Sequence, residues 1–271
     1  MSLRVADGLL ACPVCAADLG LTGALARCAS GHSFDVARQG YLNLLGRGQP
    51  ANADTAAMLV ARARVHAGGL FDPVAAELLA QLPDETETCL EVGAGNAHYL
   101  AAVVGARPAT RGLALDVSIA AARAAARAHP RVASVVADVW RGLPVRTASI
   151  DAVLCVFAPR NLAEFRRVLR PAGRLLVVTP TEHHLASLRR RYGLLDVDPA
   201  KDERLLAQAS EGFEVVTTTT STRRADAGAD QVRDLIAMGP NAFHGPAGDV
   251  EAQPVDVSVR VTVFRPLRPA P

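Results

Sequence analysis

The chain has 271 residues, of which 50% are hydrophobic and 4% aromatic, and its formal net charge is +2 at pH 7. This length is enough to bury one α/β core and a small appendage. No apolar run approaches the roughly 18 residues of a membrane span, and residues 1–4 are not followed by the apolar segment of a signal peptide. Composition therefore predicts a cytoplasmic protein with no membrane partner, and the charge alone does not indicate nucleic-acid binding.

The first motif along the chain is C-x2-C-x12-C-x3-H, which comprises Cys12, Cys15, Cys28 and His32. Three thiolates and one imidazole form a tetrahedral ligand set that Zn²⁺ prefers. Four protein ligands leave no open coordination position, so the motif predicts a structural zinc ion rather than a catalytic one. The alternative, unrelated buried cysteines, does not account for the matched spacing of the two pairs.

A polar segment rich in turn residues follows at 46–54 and predicts a linker. The next segment, to about residue 67, predicts a helix that displays Arg62 and Arg64. A second basic cluster comprises Arg189, Arg190 and Arg191. Each cluster fits either the solvated face of a helix or a surface that binds RNA phosphates.

The most informative stretch is a short apolar strand at 89–92 that ends in the turn Gly93-Ala94-Gly95-Asn96. Glycines permit a tight turn and a close approach of ligand, and the following helix points its free N–H groups into the same crevice. His98 stands where a dinucleotide-binding turn has its third glycine, which disfavours a pyrophosphate ligand. A purely structural turn remains the alternative, because two glycines after a strand are a weak signal.

Further strands alternate with helices, which predicts a doubly wound, mostly parallel α/β sheet. Glu91, Asp116 and Asp138 lie at or beside the ends of the first three strands. Carboxylates along the carboxyl edge of such a sheet suit a ligand with ribose and adenine but no phosphate, which favours S-adenosylmethionine over NAD. The later strands are predicted at 150–157, 175–178, 215–221 and 257–264, the last two as an antiparallel end of the sheet.

Together these segments resemble the RlmA family of 23S rRNA guanine-N1 methyltransferases, and within it the tylosin-resistance branch. The resemblance covers nearly the whole chain. It is carried by the zinc motif, the glycine turn and the segments FDVARQGYLNLL at 34–45, VFAPRN at 156–161, LVVTP at 176–180 and AMGP at 237–240. The zinc spacing followed by FDVARQGYLNLL is specific, whereas all class I methyltransferases share the turn. The chain departs from the family pattern at Ala97, where a glycine is common.

The resemblance implies a class I, Rossmann-like methyltransferase fold preceded by a small zinc-binding domain. The implied organisation is a zinc-binding RNA-recognition domain at 1–45, a linker and connecting helix at 46–72 and a methyltransferase domain at 73–271. Zinc is implied on the four motif residues. S-adenosylmethionine is implied against Phe71, Gly93, Gly95, Asn96, Asp116 and His184, and the strand-end pattern adds Glu91 and Asp138.

The implied activity is methylation of N1 in one of two neighbouring guanines in a hairpin loop of domain II of 23S rRNA, and the implied role is resistance to tylosin-like macrolides. We expect the loop Phe157-Ala158-Pro159-Arg160 to form the wall of the guanine pocket and the two arginine clusters to contact RNA. A homodimer is also implied. Three alternatives stay open: the housekeeping activity on the neighbouring guanine, a small-molecule methyltransferase of antibiotic biosynthesis and a catalytically silent RNA-binding module.

Overall fold

The fold is built on an eight-stranded sheet, and the computed structural model describes residues 2–243 and 249–267. The strands are β1 Leu19–Thr22, β2 Leu25–Cys28, β3 Ser33–Asp35, β4 Tyr41–Asn43, β5 Thr88–Val92, β6 Arg111–Asp116, β7 Val132–Val136, β8 Ile150–Val156, β9 Leu169–Pro180, β10 Phe213–Ala227 and β11 Gln253–Pro266. The α-helices are α1 Ala56–Ala67, α2 Asp72–Gln81, α3 His98–Ala106, α4 Ile119–Ala125, α5 Leu162–Val168, α6 Ala186–Tyr192, α7 Lys201–Ala209 and α8 Ala229–Ala237. Short 3-10 helices occupy Ser2–Ala6, Val139–Arg141 and Pro240–Phe243.

The sheet order is β10-β11-β9-β8-β5-β6-β7-β4, and every pairing from β9 to β4 is parallel. β11 pairs antiparallel with β9 and β10 pairs antiparallel with β11. All residues of β5 and β7 are buried, as expected for apolar strands covered on both faces of a parallel sheet. The predicted doubly wound sheet with an antiparallel end is therefore confirmed.

Successive side chains of the central strands enter two cores on opposite faces of the sheet. Leu90 packs on one face with the N-terminal residues Leu9 and Leu10, whereas Cys89 packs on the other with α2 and α3. This alternation follows from the two-residue period of a strand. Cys89 and Cys155 are both fully buried, as their strand positions predict.

The N-terminal region contributes to both a small sheet and the main one. β1, β2 and β3 form an antiparallel sheet of their own. β4, however, pairs parallel with β7 as the edge strand of the main sheet, where Asn43 lies opposite Val136. An isolated bridge also joins Leu10 to Val145. The predicted domain at 1–45 thus shares one hydrophobic core with the methyltransferase sheet.

Three of the predicted strands are longer in the structure. β10 and β11 extend beyond the predicted 215–221 and 257–264 at both ends, and they pair with each other along this added length. β9 begins at Leu169, ahead of the predicted 175, and a register shift accommodates the extra residues.

None of the helices within 2–243 and 249–267 is long and apolar enough to span a membrane.

Candidate zinc centre and cofactor crevice

The four residues of the zinc motif converge at one end of the β1–β3 sheet. Sγ of Cys15 lies 3.7 Å from Sγ of Cys28, and Nδ1 of His32 lies 3.7 Å from Sγ of Cys12 and 3.4 Å from that of Cys28. All four ligand atoms lie within 4.8 Å of one another. Tetrahedral zinc with ordinary Zn–S and Zn–N bonds separates its ligands by about 3.5 to 3.8 Å. The site therefore fits a zinc ion.

The local turns place these ligands. Gly31 has φ +88° and donates its N–H to the carbonyl of Cys28 at 3.0 Å, which closes the turn between the third and fourth ligands. A hydrogen bond with Ser30 lowers the pKa of Cys15 to about 6. A thiol with a lowered pKa is more readily present as the thiolate that a metal binds.

The glycine turn lies at the carboxyl end of β5, with Gly93 at φ +69° and Gly95 at φ +54°. A Cβ on Gly93 would overlap the side chain of Ala158, and a Cβ on Gly95 would lie 2.5 Å from Nη1 of Arg62. Both positions therefore need glycine for their backbone angles and for the groups that approach them. The crevice is thus bounded by the predicted loop at 157–160 on one side and by α1 on the other.

Glu91 is buried at the end of β5 and contacts the helix that follows the turn. Its carboxylate accepts the N–H of Leu100 at 3.1 Å, in the first turn of α3. Ala97, the N-cap of that helix, offers no side-chain acceptor, so Glu91 takes over this function. Burial raises the pKa of Glu91 to about 8. Glu91 thus positions the start of α3, and its contact with a cofactor stays a prediction.

Asp116 is held beside the turn by backbone hydrogen bonds. Its Oδ2 accepts the N–H of Gly95 and its Oδ1 that of Ser118, both at 2.8 Å. Burial raises the pKa of Asp116, whereas these two hydrogen bonds act in the opposite direction. These two hydrogen bonds hold the predicted partner of a ribose at the edge of the crevice.

The other two polar residues predicted to contact the cofactor lie further along the rim. Asp138 accepts the N–H of Trp140 at 3.0 Å and pairs with Arg47 at 3.1 Å. Nδ2 of Asn96 lies 3.4 Å from Nδ1 of His66. Both residues are within the arc of strand ends where ligands of such sheets bind, and their contact with a cofactor stays a prediction.

Three rings from separate segments meet next to the turn. The ring centroid of Phe157 lies 6.3 Å from that of Phe71 and 5.5 Å from that of His184, and the third pair is separated by 6.2 Å. Nδ1 of His184 accepts the N–H of Ser258 at 3.3 Å, and burial lowers the pKa of the imidazole to about 4. At neutral pH this histidine is uncharged, and its proton is on Nε2.

The loop at 157–160 offers one exposed ring and two inward carbonyls. Phe157 has φ +54° and its residue is 39% exposed. The carbonyl oxygens of Ala158 and Pro159 lie 3.5 Å from Sγ of the buried Cys155. Contact of these carbonyls with a guanine edge stays a prediction, and Phe157 is the group best placed to meet a substrate base.

Lys201, the only lysine of the chain, lies near this loop. It is not among the site residues predicted from the sequence. Its pKa is lowered by burial and by the positive charge of Arg160. Lys201 begins α7, and its neighbour Asp202 accepts the hydroxyl of Thr179 at 2.8 Å near the end of β9. Only the tertiary packing of α7 brings this lysine to the rim, so no sequence motif marked it.

The two arginines of α1, which share one prediction, have different surroundings. The guanidinium of Arg62 pairs with Asp54 at 2.6 Å and donates to the carbonyl of Met238 at 2.6 and 3.2 Å, and its side chain is only 20% exposed. Arg64 pairs with Asp234 but keeps a side chain that is 59% exposed. The guanidinium of Arg62 lies at the crevice, beside Gly95, and the RNA contact predicted for both arginines stays a prediction.

The cluster on α6 divides in the same way. Arg189 donates to the carbonyl of His184 at 3.0 Å and pairs with Asp196, so only 12% of its side chain is exposed. Arg191 pairs with Glu251 and is more exposed. Arg190 is exposed and makes no hydrogen bond or ion pair with any other residue that the structure describes. Arg190 and Arg191 are thus more accessible to RNA than Arg189, and RNA binding by all three stays a prediction.

Comparison with known proteins agrees with both parts of this arrangement. The family model for the N-terminal part of RlmA, a zinc ribbon, matches residues 10–49, and a methyltransferase-domain model matches residues 89–173. A putative methyltransferase in complex with the Haloferax volcanii Trm112 activator is similar in fold, with a TM-score of 0.50 and 17% identity over 75% of this chain and 98% of that one.

Two curated relatives align over nearly their full length. A putative 23S rRNA (guanine-N(1)-)-methyltransferase of Micromonospora griseorubida is 43% identical, over 96% of this chain and 95% of the relative. The 23S rRNA (guanine(748)-N(1))-methyltransferase of Streptomyces fradiae is 42% identical, over 95% of this chain and 97% of the relative. The resemblance stated from the sequence is confirmed: the chain belongs to the RlmA family of 23S rRNA guanine-N1 methyltransferases.

Proposed function

We propose that this protein transfers a methyl group from S-adenosylmethionine to N1 of a guanine in a hairpin loop of domain II of 23S rRNA. The observation that carries the proposal is the union, in one chain, of a Cys3His ribbon with a class I crevice. The S. fradiae relative supports the guanine(748) position over the neighbouring guanine. A small-molecule methyltransferase would need the crevice but not the ribbon.

In this proposal the protein mainly aligns the reactants. S-adenosylmethionine, when bound, supplies a methyl group activated by its sulfonium, and the displacement is in line. Gly93 and Gly95 let the methyl donor approach the backbone, while Asp116 is positioned for its ribose. Phe157 is exposed beside the turn and stacks on the guanine, which is already partly unstacked in a hairpin loop.

The proton on guanine N1 must leave as the new bond forms. His184 does not accept it, because its Nδ1 is occupied by the N–H of Ser258 and its Nε2 carries a proton. Its role in the pocket is that of a neutral hydrogen-bond donor. The carbonyl oxygens of the 157–160 loop are proposed to accept hydrogen bonds from the edge of the base, and the N1 proton is proposed to leave through water to the solvent.

We assign RNA binding to the zinc ribbon and to the exposed guanidinium groups of Arg64, Arg190 and Arg191. Such groups bind phosphates without reading the base, and their contribution falls with salt. The proposal includes a homodimer that works in the cytoplasm and protects its host from tylosin-like macrolides.

The test is methylation of defined RNA. Purified protein is incubated with labelled S-adenosylmethionine and a transcript of the domain II hairpin, and with transcripts in which either candidate guanine is replaced by adenine. Reverse transcription should halt one nucleotide before the modified base, because a methyl on N1 blocks Watson–Crick pairing. The stop should disappear with only one of the replacements. Label in a small metabolite but not in RNA would refute the proposal.

The resistance role has its own measurement. Expression in a susceptible host should raise the inhibitory concentration of tylosin and leave that of an antibiotic with a different ribosomal site unchanged. A variant with Gly93→Ala is the control for expression without activity. Equal susceptibility of both strains, with the RNA methylated, would support a housekeeping role instead.

A further inference from the structure

The guanidinium of Arg62 lies against the glycine turn, where the sequence pattern suggested a surface residue. Nη1 of Arg62 comes within 2.5 Å of the position that a Cβ on Gly95 would take. The side chain reaches this place from α1 and is fixed there by Asp54 and by the carbonyl of Met238. The guanidinium of Arg62 thus lies beside Gly95, at the point where the lack of a side chain lets a ligand approach the backbone.

The electrostatic surroundings of Arg62 are those of the crevice. Burial raises the pKa of both Glu91 and Asp116, and the positive charge of Arg62 acts against the shift in each case. The same charge adds to the burial that lowers the pKa of His66. Arg62 therefore acts on groups beneath and beside the turn, whereas Arg64 interacts with acidic residues of α8.

We propose that Arg62 binds the carboxylate of the methionyl part of S-adenosylmethionine, and that it belongs to the cofactor site instead of the RNA surface. This methyl donor carries one carboxylate beside an ammonium and a sulfonium group. Asp116 is assigned to the ribose, and the carboxylate needs a cation as its partner. The guanidinium has five N–H donors, more than its bonds to Asp54 and Met238 use, so it can donate to a further partner such as a carboxylate.

The start of α3 supports the same assignment. This helix begins at His98, directly after the turn, and its N-terminus carries a partial positive charge. The N–H groups of Gly93, Ala94 and Gly95 bond to other protein groups, and Glu91 accepts the N–H of Leu100. The first two N–H groups of α3, those of residues 98 and 99, are therefore the ones available to a ligand. A carboxylate placed between Arg62 and this helix start would meet two sources of positive potential.

The test compares ligands that differ by the amino-acid part, using calorimetric titration of the zinc-loaded protein. S-adenosylhomocysteine carries the carboxylate, whereas 5′-methylthioadenosine lacks the whole amino-acid part. Arg62→Gln should weaken the first ligand by about 10- to 100-fold, the range expected for loss of a charge-assisted hydrogen bond. It should change affinity for the second by less than about threefold, because the adenosine contacts remain.

Arg64→Gln is the matched control, since it removes an arginine two residues away that also contacts the α8 region. It should leave the affinity ratio of the two ligands unchanged. An equal loss for both ligands with Arg62→Gln would mean that Arg62 only supports the fold, and would overturn the proposal. Unchanged binding of both ligands would also overturn it.

A second measurement uses the unaltered protein, so it does not depend on folding of the variant. The methyl ester of S-adenosylhomocysteine is neutral at the carboxyl group and should bind about 10- to 100-fold more weakly than the free acid. Equal affinity of ester and acid would contradict the assignment. Because these titrations contain no RNA, their failure would leave the proposed rRNA activity intact, and absence of RNA methylation would leave the assignment of Arg62 intact.

Discussion

The zinc ribbon and the cofactor crevice obtain their geometry by different means. In the ribbon, three short strands bring four ligand atoms within 4.8 Å of one another, with a thiol at the surface. In the crevice, Glu91 is buried and Asp116 is half-buried at the ends of central strands, and backbone N–H groups donate to both carboxylates. The comparison indicates that the ion organises the ribbon, whereas the packed sheet organises the crevice. The predictions below test this contrast, beginning with the largest effect.

Removal of one zinc ligand should separate the two regions. Cys28→Ser should lose bound zinc and expose β1–β3 to protease, because structural zinc contributes about 10–16 kcal/mol to such sites. Affinity for S-adenosylhomocysteine should stay within about threefold, since the crevice rests on the main sheet. Metal analysis, limited proteolysis and calorimetry measure these effects.

Cys89→Ser is the control for that experiment, because Cys89 is buried in β5 and is not a zinc ligand. It should lower stability and retain the metal. If Cys28→Ser abolished cofactor binding as fully as RNA methylation, the contrast between the two regions would be wrong.

A side chain added at Gly93 should weaken both cofactor binding and the folded state. Gly93→Ala places a methyl group on a residue at φ +69° and against Ala158. We expect a loss of about 2–4 kcal/mol in unfolding free energy and at least about a hundredfold loss in cofactor affinity. Gly105→Ala in α3 has open space around it and should be neutral or stabilising by up to about 1 kcal/mol. Urea denaturation and calorimetry distinguish the two variants.

Burial of Glu91 should make the free energy of unfolding depend on pH. The folded pKa of Glu91, about 8, lies above its ordinary value of 4.5, so the folded state binds this proton more tightly. The contribution is complete below pH 4.5 and is lost as pH rises to about 8. Glu91→Gln lacks this loss, so its unfolding free energy relative to wild type should rise from pH 5 to pH 9 by about 1–3 kcal/mol.

Denaturation in urea at several pH values measures this slope. Glu87→Gln, at an exposed position just before β5, is the control and should show a constant difference. A constant difference for Glu91→Gln as well would show that the carboxyl group is solvated, and would remove burial as the organising factor in the crevice.

The smallest effect is expected at Ala97, which has φ +56° as N-cap of α3. A non-glycine residue in this region costs about 1–2 kcal/mol, of which the greater chain entropy of glycine offsets part. Ala97→Gly should therefore stabilise the protein by about 0.5 kcal/mol, measured as a rise in Tm. A fall in Tm would mean that the alanine methyl group packs well enough to compensate for the backbone strain.

Local spacing made the zinc ligands and the glycine turn predictable, because both are set by residues close together in sequence. The pattern could not distinguish Arg62 from Arg64, since one faces Gly95 and the other Asp234 through contacts with distant segments. The pattern also could not show that Glu91 accepts the N–H of Leu100, because a carboxylate at a strand end has the same sequence signature whether or not it contacts the next helix. Tertiary packing decides such cases.

The three residues of β4 have a consequence for target choice. By hydrogen-bonding to β7, they attach the end of the ribbon segment to the strand that leads into Asp138. This pairing fixes the distance between the ribbon and the crevice. If the ribbon binds the hairpin as proposed, that distance determines which of the two neighbouring guanines enters the crevice, and one edge strand sets it.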